Sequence, residues 1–144
     1  MQIGLFGNLR ITLAGRPLTT INTNRLQSLI AYLILHGDSP QPRERLAFLL
    51  WPASNESQAR TNLRQLLHHL KRALPSECDW LVTNHFTVHW RHDPACAIDT
   101  VAFQAAIADA ASARAADNRA HEIGSLAKAA QLYEDDLLPG LYDD

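Results

Sequence analysis

Apolar residues recur every three or four positions through residues 55–74, which is the spacing of one face of an α-helix. The stripe consists of Ala59, Leu63, Leu66, Leu67, Leu70 and Leu74. The opposite pole carries Gln58, Thr61, Gln65, His68 and Arg72. The flanks add Arg60, Arg64 and Lys71 on one side and Asn62 and His69 on the other. The pattern predicts one long amphipathic helix, capped by Ser54 or Asn55, with a strongly polar outer face.

Upstream, alternation of apolar and polar residues predicts an antiparallel meander of three strands at 3–6, 9–13 and 18–21. Its turns are expected at residues 7–8 and 15–17, because Gly7 and Gly15 favour turns. A helix with candidate caps at residues 22–24 follows and ends near His36, before Gly37. Residues 39–42 predict an extended linker because proline restricts the residue before it. A short second helix covers residues 43–51.

Downstream, strands at 80–83 and 86–90 predict a β-hairpin around residues 84–85. On the second strand one face is expected to hold Phe86, Val88 and Trp90, and the other Thr87, His89 and Arg91. Two alanine-rich helices are then expected over 99–115, capped by Asp99, and over 121–137. The expected inward positions of the first are Val101 or Ala102, Phe103, Ala106, Ile107 and Ala110.

This order of elements predicts an α+β fold. Three helices followed by a hairpin form the layout of a winged helix-turn-helix, in which the third helix enters the major groove of DNA and the hairpin is the wing. The preceding β-meander narrows the prediction to the OmpR/PhoB-like variant. We predict this winged-helix domain at residues 1–95 and an α-helical pair that begins a second domain at 96–144.

The charge distribution is uneven although the formal net charge of the 144-residue chain is −2. Residues 1–75 hold nine Lys/Arg and three Asp/Glu, a balance of +6, whereas residues 76–144 hold four and twelve, a balance of −8. The long helix has one acid, Glu56, in its first turn, where it favours the helix N-terminus. Arg, Lys, Gln, Asn, Thr and His can hydrogen-bond phosphates and base edges. The first half is therefore suited to a polyanion, whether DNA, RNA or an acidic protein.

Four short motifs follow one another through residues 43–74. They are Arg-Glu-Arg-Leu (43–46), Leu-Trp (50–51), Ala-Arg-x-x-Leu (59–63) and Leu-Lys-Arg-Ala-Leu (70–74). In this order they resemble the SARP/BTAD class of bacterial transcriptional regulators. Ala-Ile-Asp-x-x-x-Phe at 97–103 resembles the start of that class's bacterial transcriptional activator domain, a tetratricopeptide-type (TPR-like) helical domain, and residues 133–140 resemble the end of its first helix pair. The wing departs from the usual Gly-Tyr pattern, since residues 86–90 read Phe-Thr-Val-His-Trp.

The resemblance implies an activator that binds double-stranded DNA, as direct repeats near a promoter, and recruits RNA polymerase. It also implies further TPR-like helices, so we expect the chain to be the N-terminal part of a longer protein. A lone helix pair cannot bury its inner face, and stacked units normally cover it. The alternative is a winged-helix/TPR protein–protein interaction module in a larger signalling regulator, whose third helix contacts a protein.

The candidate DNA-binding residues lie on the long helix and on the wing. Arg64, Lys71 and Arg72 are expected to contact phosphates, and Thr61, Gln65 and His68 to read base edges. Contacts are also expected from Ser57, Gln58, Asn84, His85 and His89. Arg60 is expected instead to pair with Glu56 four residues earlier.

Other classes of function find little support in the sequence. His85, His89 and His92, with Cys78 and Cys96 nearby, match no zinc-ligand spacing, so no metal or other cofactor is predicted. There is no catalytic motif, so we expect no enzyme. Without a secretory signal or a long apolar stretch, the chain is expected to be cytoplasmic, with no membrane partner and with reduced cysteines.

Overall fold

The computed structural model describes residues 1–76, 79–93, 95–133 and 137. These residues form two compact units. The terminal unit contains residues 1–17 and the described residues beyond 94, and the central unit contains the described residues from 18 to 93. The predicted domain boundary between residues 95 and 96 lies close to the point, after residue 93, where the chain passes from the central unit to the terminal unit. Residues 1–17, however, group with the C-terminal part of the chain and not with the central unit.

The elements in chain order are β1 (Gln2–Gly4), β2 (Arg10–Leu13), β3 (Arg16–Pro17), α1 (Asn24–Leu35), β4 (Gln41–Pro42), α2 (Arg43–Leu50), α3 (Glu56–Ala73), β5 (Leu81–Thr83), β6 (Thr87–Trp90), β7 (Ala97–Ile98), α4 (Asp99–Ala115) and α5 (Arg119–Leu132). The architecture is mixed α+β, as predicted. The strands form a four-stranded sheet of order β3-β2-β1-β7 and a three-stranded sheet of order β4-β6-β5. None of these helices is both long and apolar enough to cross a membrane, within the described residues.

The N-terminal meander is confirmed, but its third strand is not where the sequence predicts it. Ala14 and Gly15 have φ angles of 52° and 77°, as the two central residues of a type I′ turn require. Leu13 therefore pairs with Arg16, and β3 consists of two residues. The predicted strand at 18–21 is wrong because this segment belongs to the central unit, where the hydroxyl of Thr20 donates to the carbonyl oxygen of Ala73 at 2.7 Å.

A short parallel strand completes the sheet of the terminal unit. No pattern in the sequence predicts β7, which lies parallel to β1. Directly after it, Asp99 is the first residue of α4. Its carboxylate accepts hydrogen bonds from the backbone N–H groups of Leu5 at 2.8 Å, Phe6 at 3.0 Å and Thr100 at 2.8 Å. Asp99 thus fastens the start of α4 to the chain that leaves β1.

We expect Asp99→Ala to lower the free energy of unfolding by about 2 kcal/mol, because three partly buried N–H groups lose their acceptor. Urea denaturation measures this change. Asp109→Ala, at an exposed position of the same helix, is the matched control and is expected to change stability by less than about 0.5 kcal/mol. Equal stability of the two variants would contradict the role assigned to Asp99.

Helices α4 and α5 pack through small residues. The buried positions are Ala106, Ala110 and Ala113 on α4 and Ser125 and Ala129 on α5. Such residues let two helix backbones approach closely, so the buried stripe is narrower than the sequence suggests. Of the alternatives Val101 and Ala102, Val101 is 39% exposed and Ala102 is half-buried. The predicted inward position of Ile107 is wrong, since it remains 42% exposed.

An aromatic cluster lies beside this helix pair. The ring of Phe6 contacts the rings of Phe103 and Tyr133 edge to face, with centroids 5.4 Å and 5.2 Å apart. The prediction that α5 extends to residue 137 is wrong: α5 ends at Leu132, and Leu137 instead forms isolated β-bridges with Phe6 and Gly7. The rest of the motif at 133–140, apart from Tyr133 and Leu137, lies outside the described residues, as does Cys78.

The central unit is built on α1, whose predicted boundaries are confirmed. Thr23 caps the helix, and its hydroxyl oxygen accepts a hydrogen bond from the N–H of Leu26 at 3.3 Å. Arg25 stacks on the ring of Trp51 at 5.1 Å and donates to the carbonyl oxygen of Leu50. These two contacts hold α1 against the end of α2.

The segment predicted as a linker contributes a strand to the sheet of the central unit. Strand β4 pairs with β6, with Gln41 opposite Val88 and Pro42 opposite Thr87. It lies at the edge of the sheet, which is where proline is tolerated in a strand. The side chain of Gln41 is buried and donates to the carbonyl oxygens of His36 and Ser39. The linker is therefore extended, as predicted, but also paired.

The hairpin formed by β5 and β6 is confirmed, with Thr83 opposite Val88 and Leu81 opposite Trp90. Val88 and Trp90 are buried, as predicted, but the placement of Phe86 on the same face is wrong. Phe86 is 81% exposed. The reason is that the chain is still turning at Phe86 and the strand begins at Thr87, so the alternation does not extend back to it.

Candidate nucleic-acid interface

Helix α3 has the boundaries and the buried stripe that the sequence predicts. Asn55 caps it, with the side-chain oxygen accepting a hydrogen bond from the N–H of Gln58 at 2.8 Å. Its buried residues are Ala59, Leu63, Leu66, Leu67 and Leu70, and the cap residue Leu74 is also buried. The apolar stripe therefore holds the helix in the central unit and leaves the polar face outward.

The polar face carries several side chains that form no hydrogen bond or ion pair with the described residues. Arg64, Gln65 and Arg72 are exposed, and none of their side chains forms a hydrogen bond or ion pair with another residue in the described part of the chain. His68 is exposed, and its nearest ring neighbour is His69, with centroids 6.3 Å apart. The donors and acceptors of these residues are available to a ligand.

Other residues of the polar face form hydrogen bonds or an ion pair with neighbouring residues of α3. Gln58 donates to the side-chain oxygen of Asn62 at 2.8 Å, and the hydroxyl of Thr61 donates to the backbone oxygen of Ser57 at 3.1 Å. Gln58 retains its amide oxygen and a second N–H, and the Thr61 hydroxyl can still accept. The expected ion pair of Arg60 with Glu56 is present at 3.5 Å. Both partners are more than half exposed, so the pair adds little stability.

The hairpin is joined to the C-terminal end of α3. The ammonium group of Lys71 donates to the hydroxyl of Thr83 at 2.6 Å. An ammonium group has three donors, so two remain for a ligand. Because Thr83 is the last residue of β5, the turn that follows it lies beside the last turn of α3. The contact therefore brings the helix face and the hairpin turn close to each other.

Of the three candidates on the hairpin, two lie at its tip and one does not. The hairpin tip is defined as residues 84–86. Asn84 and His85 are exposed there, and the side-chain oxygen of Asn84 accepts hydrogen bonds from the backbone, which leaves its NH₂ group for a ligand. His89 is half-buried on β6, with Nε2 hydrogen-bonded to the carbonyl oxygen of Gly37 at 3.0 Å. The structure thus separates His89 from the hairpin tip.

Phe86 is the residue at this site that the sequence pattern misplaces. It lies at the hairpin tip, next to His85, with its ring in solvent. The exposure of Phe86 could have been predicted from Asn84, because an Asn side chain commonly accepts a hydrogen bond from the backbone two residues on and starts a turn.

Positive charge is concentrated on α3. The helix carries four basic residues and one acid, whereas residues 18–93 as a whole carry eight and six. The four basic residues are Arg60, Arg64, Lys71 and Arg72, and all are exposed. Since Arg60 is paired with Glu56, the charge offered to solvent comes mainly from the other three. A polyanion is therefore attracted to this helix more than to the remainder of the unit.

The histidines do not form a metal centre with their neighbours in the described chain. No three His, Cys, Asp or Glu side chains converge there. His85 and His92 are exposed, whereas Cys96 is buried in the terminal unit.

A groove of about 300 Å³ lies between α2 and α3. Phe48, Trp51 and Ala59 contribute apolar surface to it, and Glu44 and Arg60 contribute charge. Phe48 is 69% exposed. The groove therefore offers a further set of apolar and charged groups to a ligand.

Among solved structures, the chain is similar to Mycobacterium tuberculosis EmbR in complex with a low-affinity phosphopeptide. The TM-score is 0.85 over 99% of this chain, at 22% sequence identity. The chain spans 38% of the EmbR chain, so it corresponds to less than half of that protein. No family model and no curated protein matches the sequence. The likeness shows that the two chains share a mixed α+β fold.

Proposed function

We propose that this chain is a sequence-specific DNA-binding module of a transcriptional regulator of the SARP/BTAD class. The observation that carries the proposal is the outer face of α3. There the side chains of Arg64, Gln65, His68 and Arg72 are exposed and form no hydrogen bond or ion pair with other described residues. The ordered motifs at 43–74 and the fold shared with EmbR support the same class.

The proposed mode of binding places α3 in the major groove, with the hairpin as the wing of a winged helix. Arg64, Lys71 and Arg72 neutralise phosphates and set the register on the duplex. Gln65 is the strongest candidate for a base contact, since its amide can form two hydrogen bonds with adenine. Thr61 and His68 read neighbouring bases, and Ser57, Gln58, Asn84 and His85 extend the contact surface.

The terminal unit has a different role in this proposal. Its helix pair is the start of a TPR-like activator domain. The acidic balance of residues 76–144 favours protein partners, with RNA polymerase implied by the resemblance. The protein acts as an activator in the cytoplasm and performs no catalysis. The phosphopeptide in the EmbR structure is a ligand of that protein, and nothing in this chain is assigned to such a ligand.

A salt titration of duplex binding tests the proposal. A labelled duplex enriched from a random pool serves as the probe, and fluorescence anisotropy measures the affinity. With three phosphate contacts the logarithmic slope is expected near −2.7, so affinity falls about 40-fold between about 50 and 200 mM salt. Failure to enrich any duplex at low salt would refute the proposal.

The second candidate function is docking of a protein partner, and the groove between α2 and α3 favours it. A protein bound there would leave the exposed Lys71 and Arg72 at the C-terminal end of α3 unused. Phe48→Ala separates the two functions, since it is expected to weaken a protein complex and to leave duplex affinity unchanged. Loss of duplex affinity in this variant would instead place the groove in the DNA interface.

A further inference from the structure

We propose that Phe86 makes an apolar contact with the minor groove of the bound duplex and strengthens binding without contributing to its salt dependence. The inference rests on the proposed function, since it adds a contact residue to the same interface. It is carried by an exposed aromatic ring that the backbone holds in a fixed place beside the basic end of α3.

The backbone of Phe86 is fixed by hydrogen bonds on both sides. Its N–H donates to the side-chain oxygen of Asn84 at 2.8 Å, and its carbonyl oxygen accepts from the N–H of Arg43 at 2.8 Å. The N–H of Thr87 donates to the same Asn84 oxygen at 2.8 Å. The ring is nevertheless 81% exposed. A large apolar side chain presented on a fixed turn gains more on binding than one on a mobile loop, because less conformational entropy is lost.

The hairpin tip lies close to the proposed phosphate contacts. Lys71 is hydrogen-bonded to Thr83, and Phe86 follows Thr83 by three residues, which is at most about 10 Å of chain. If Lys71 and Arg72 contact the phosphate strand that borders the major groove, the next groove beyond that strand is the minor groove. The hairpin tip is therefore the part of the central unit placed to reach it.

The chemistry of the minor groove suits this ring. The groove is about 6 Å wide, which admits a phenyl ring placed edge-on, and proteins that bind there commonly use apolar side chains. Asn84 and His85 supply polar groups on either side of the same contact. Contact with sugars and base edges releases no counterions, so it adds affinity that is insensitive to salt.

Phe86→Ala is the decisive variant, measured on the duplex enriched by the wild-type chain. Affinity is expected to fall about tenfold, as loss of a buried phenyl group predicts. The logarithmic salt slope is expected to stay within about 0.3 of wild type, whereas loss of a phosphate contact lowers it by about one. Phe86→Leu keeps an apolar side chain and is expected to recover most of the affinity. Thermal unfolding checks that the variants are folded.

Phe48→Ala is the matched control because Phe48 is also an exposed phenylalanine of the central unit, at 69%. Unchanged affinity is expected for it. Wild-type affinity in Phe86→Ala, an equal loss in Phe48→Ala, or a reduced salt slope in Phe86→Ala would each overturn the inference and leave DNA binding by α3 standing. Absence of duplex binding by the wild-type chain would remove the proposed function itself, so the two failures are distinguishable.

Discussion

Leu70→Ala is expected to lower the free energy of unfolding by about 3 kcal/mol, which is typical for a leucine removed from a close-packed core. Leu70 is fully buried and lies one turn before the C-terminal end of α3. Its loss leaves a cavity under the part of the helix that carries Lys71 and Arg72. Urea denaturation followed by circular dichroism measures the change in stability.

The matched control for this change is Leu35→Ala on α1. Leu35 is 41% exposed at the last position of that helix. The same chemical change there removes few packing contacts and is expected to cost less than about 1 kcal/mol. A similar loss in the two variants would mean that the stripe of α3 is not packed as described.

The second large effect is expected for the double variant Arg64→Ala, Arg72→Ala. The side chain of each arginine is exposed on α3 and forms no hydrogen bond or ion pair with another described residue, so the change removes charge and leaves the core packing intact. Loss of two phosphate contacts lowers duplex affinity about 60-fold at about 0.1 M salt and reduces the logarithmic salt slope by about 1.8. Fluorescence anisotropy across a salt series gives both quantities.

Arg114→Ala, Arg119→Ala is the matched control for charge. Both residues are exposed, Arg114 in the last turn of α4 and Arg119 at the start of α5, and the change in net charge is the same. Duplex affinity is expected to change by less than about threefold, because neither residue lies on α3 or at the hairpin tip and neither is a proposed phosphate contact. Equal losses in the two double variants would show that net charge, and not the face of α3, governs binding.

The helices of the central unit were predictable from the sequence almost to the residue. Thr23 and Asn55 are strong N-cap residues, and apolar stripes with helical spacing follow them directly. The end of α1 at Leu35 and that of α3 at Ala73 follow from Gly37 and Pro75, which stop the pattern. These signals are local, so a single chain displays them.

The short strands were not predictable in the same way. Two-residue strands such as β4 and β7 contain too few positions to show alternation, and they exist because a partner strand lies alongside. The position of β3 depends on Ala14 in the left-handed region, which is uncommon for a residue with a Cβ atom. Pairing between distant residues cannot be inferred from spacing alone.

For the candidate interface, the sequence by itself determined which residues face away from the core of α3. That follows from helical periodicity, since the apolar stripe at Leu63, Leu66 and Leu70 sets the opposite face. The charge imbalance between the two halves is likewise a property of the sequence.

Only the tertiary structure decided which of the polar residues are available to a ligand. Hydrogen bonds of Lys71 to Thr83 and of His89 to Gly37 join residues from different elements, and no local pattern contains them. The exposure of Phe86 depends in the same way on a turn and on its contact with Arg43. Periodicity assigns a residue to a face, whereas long-range packing and hydrogen bonding determine whether its functional group is free to bind.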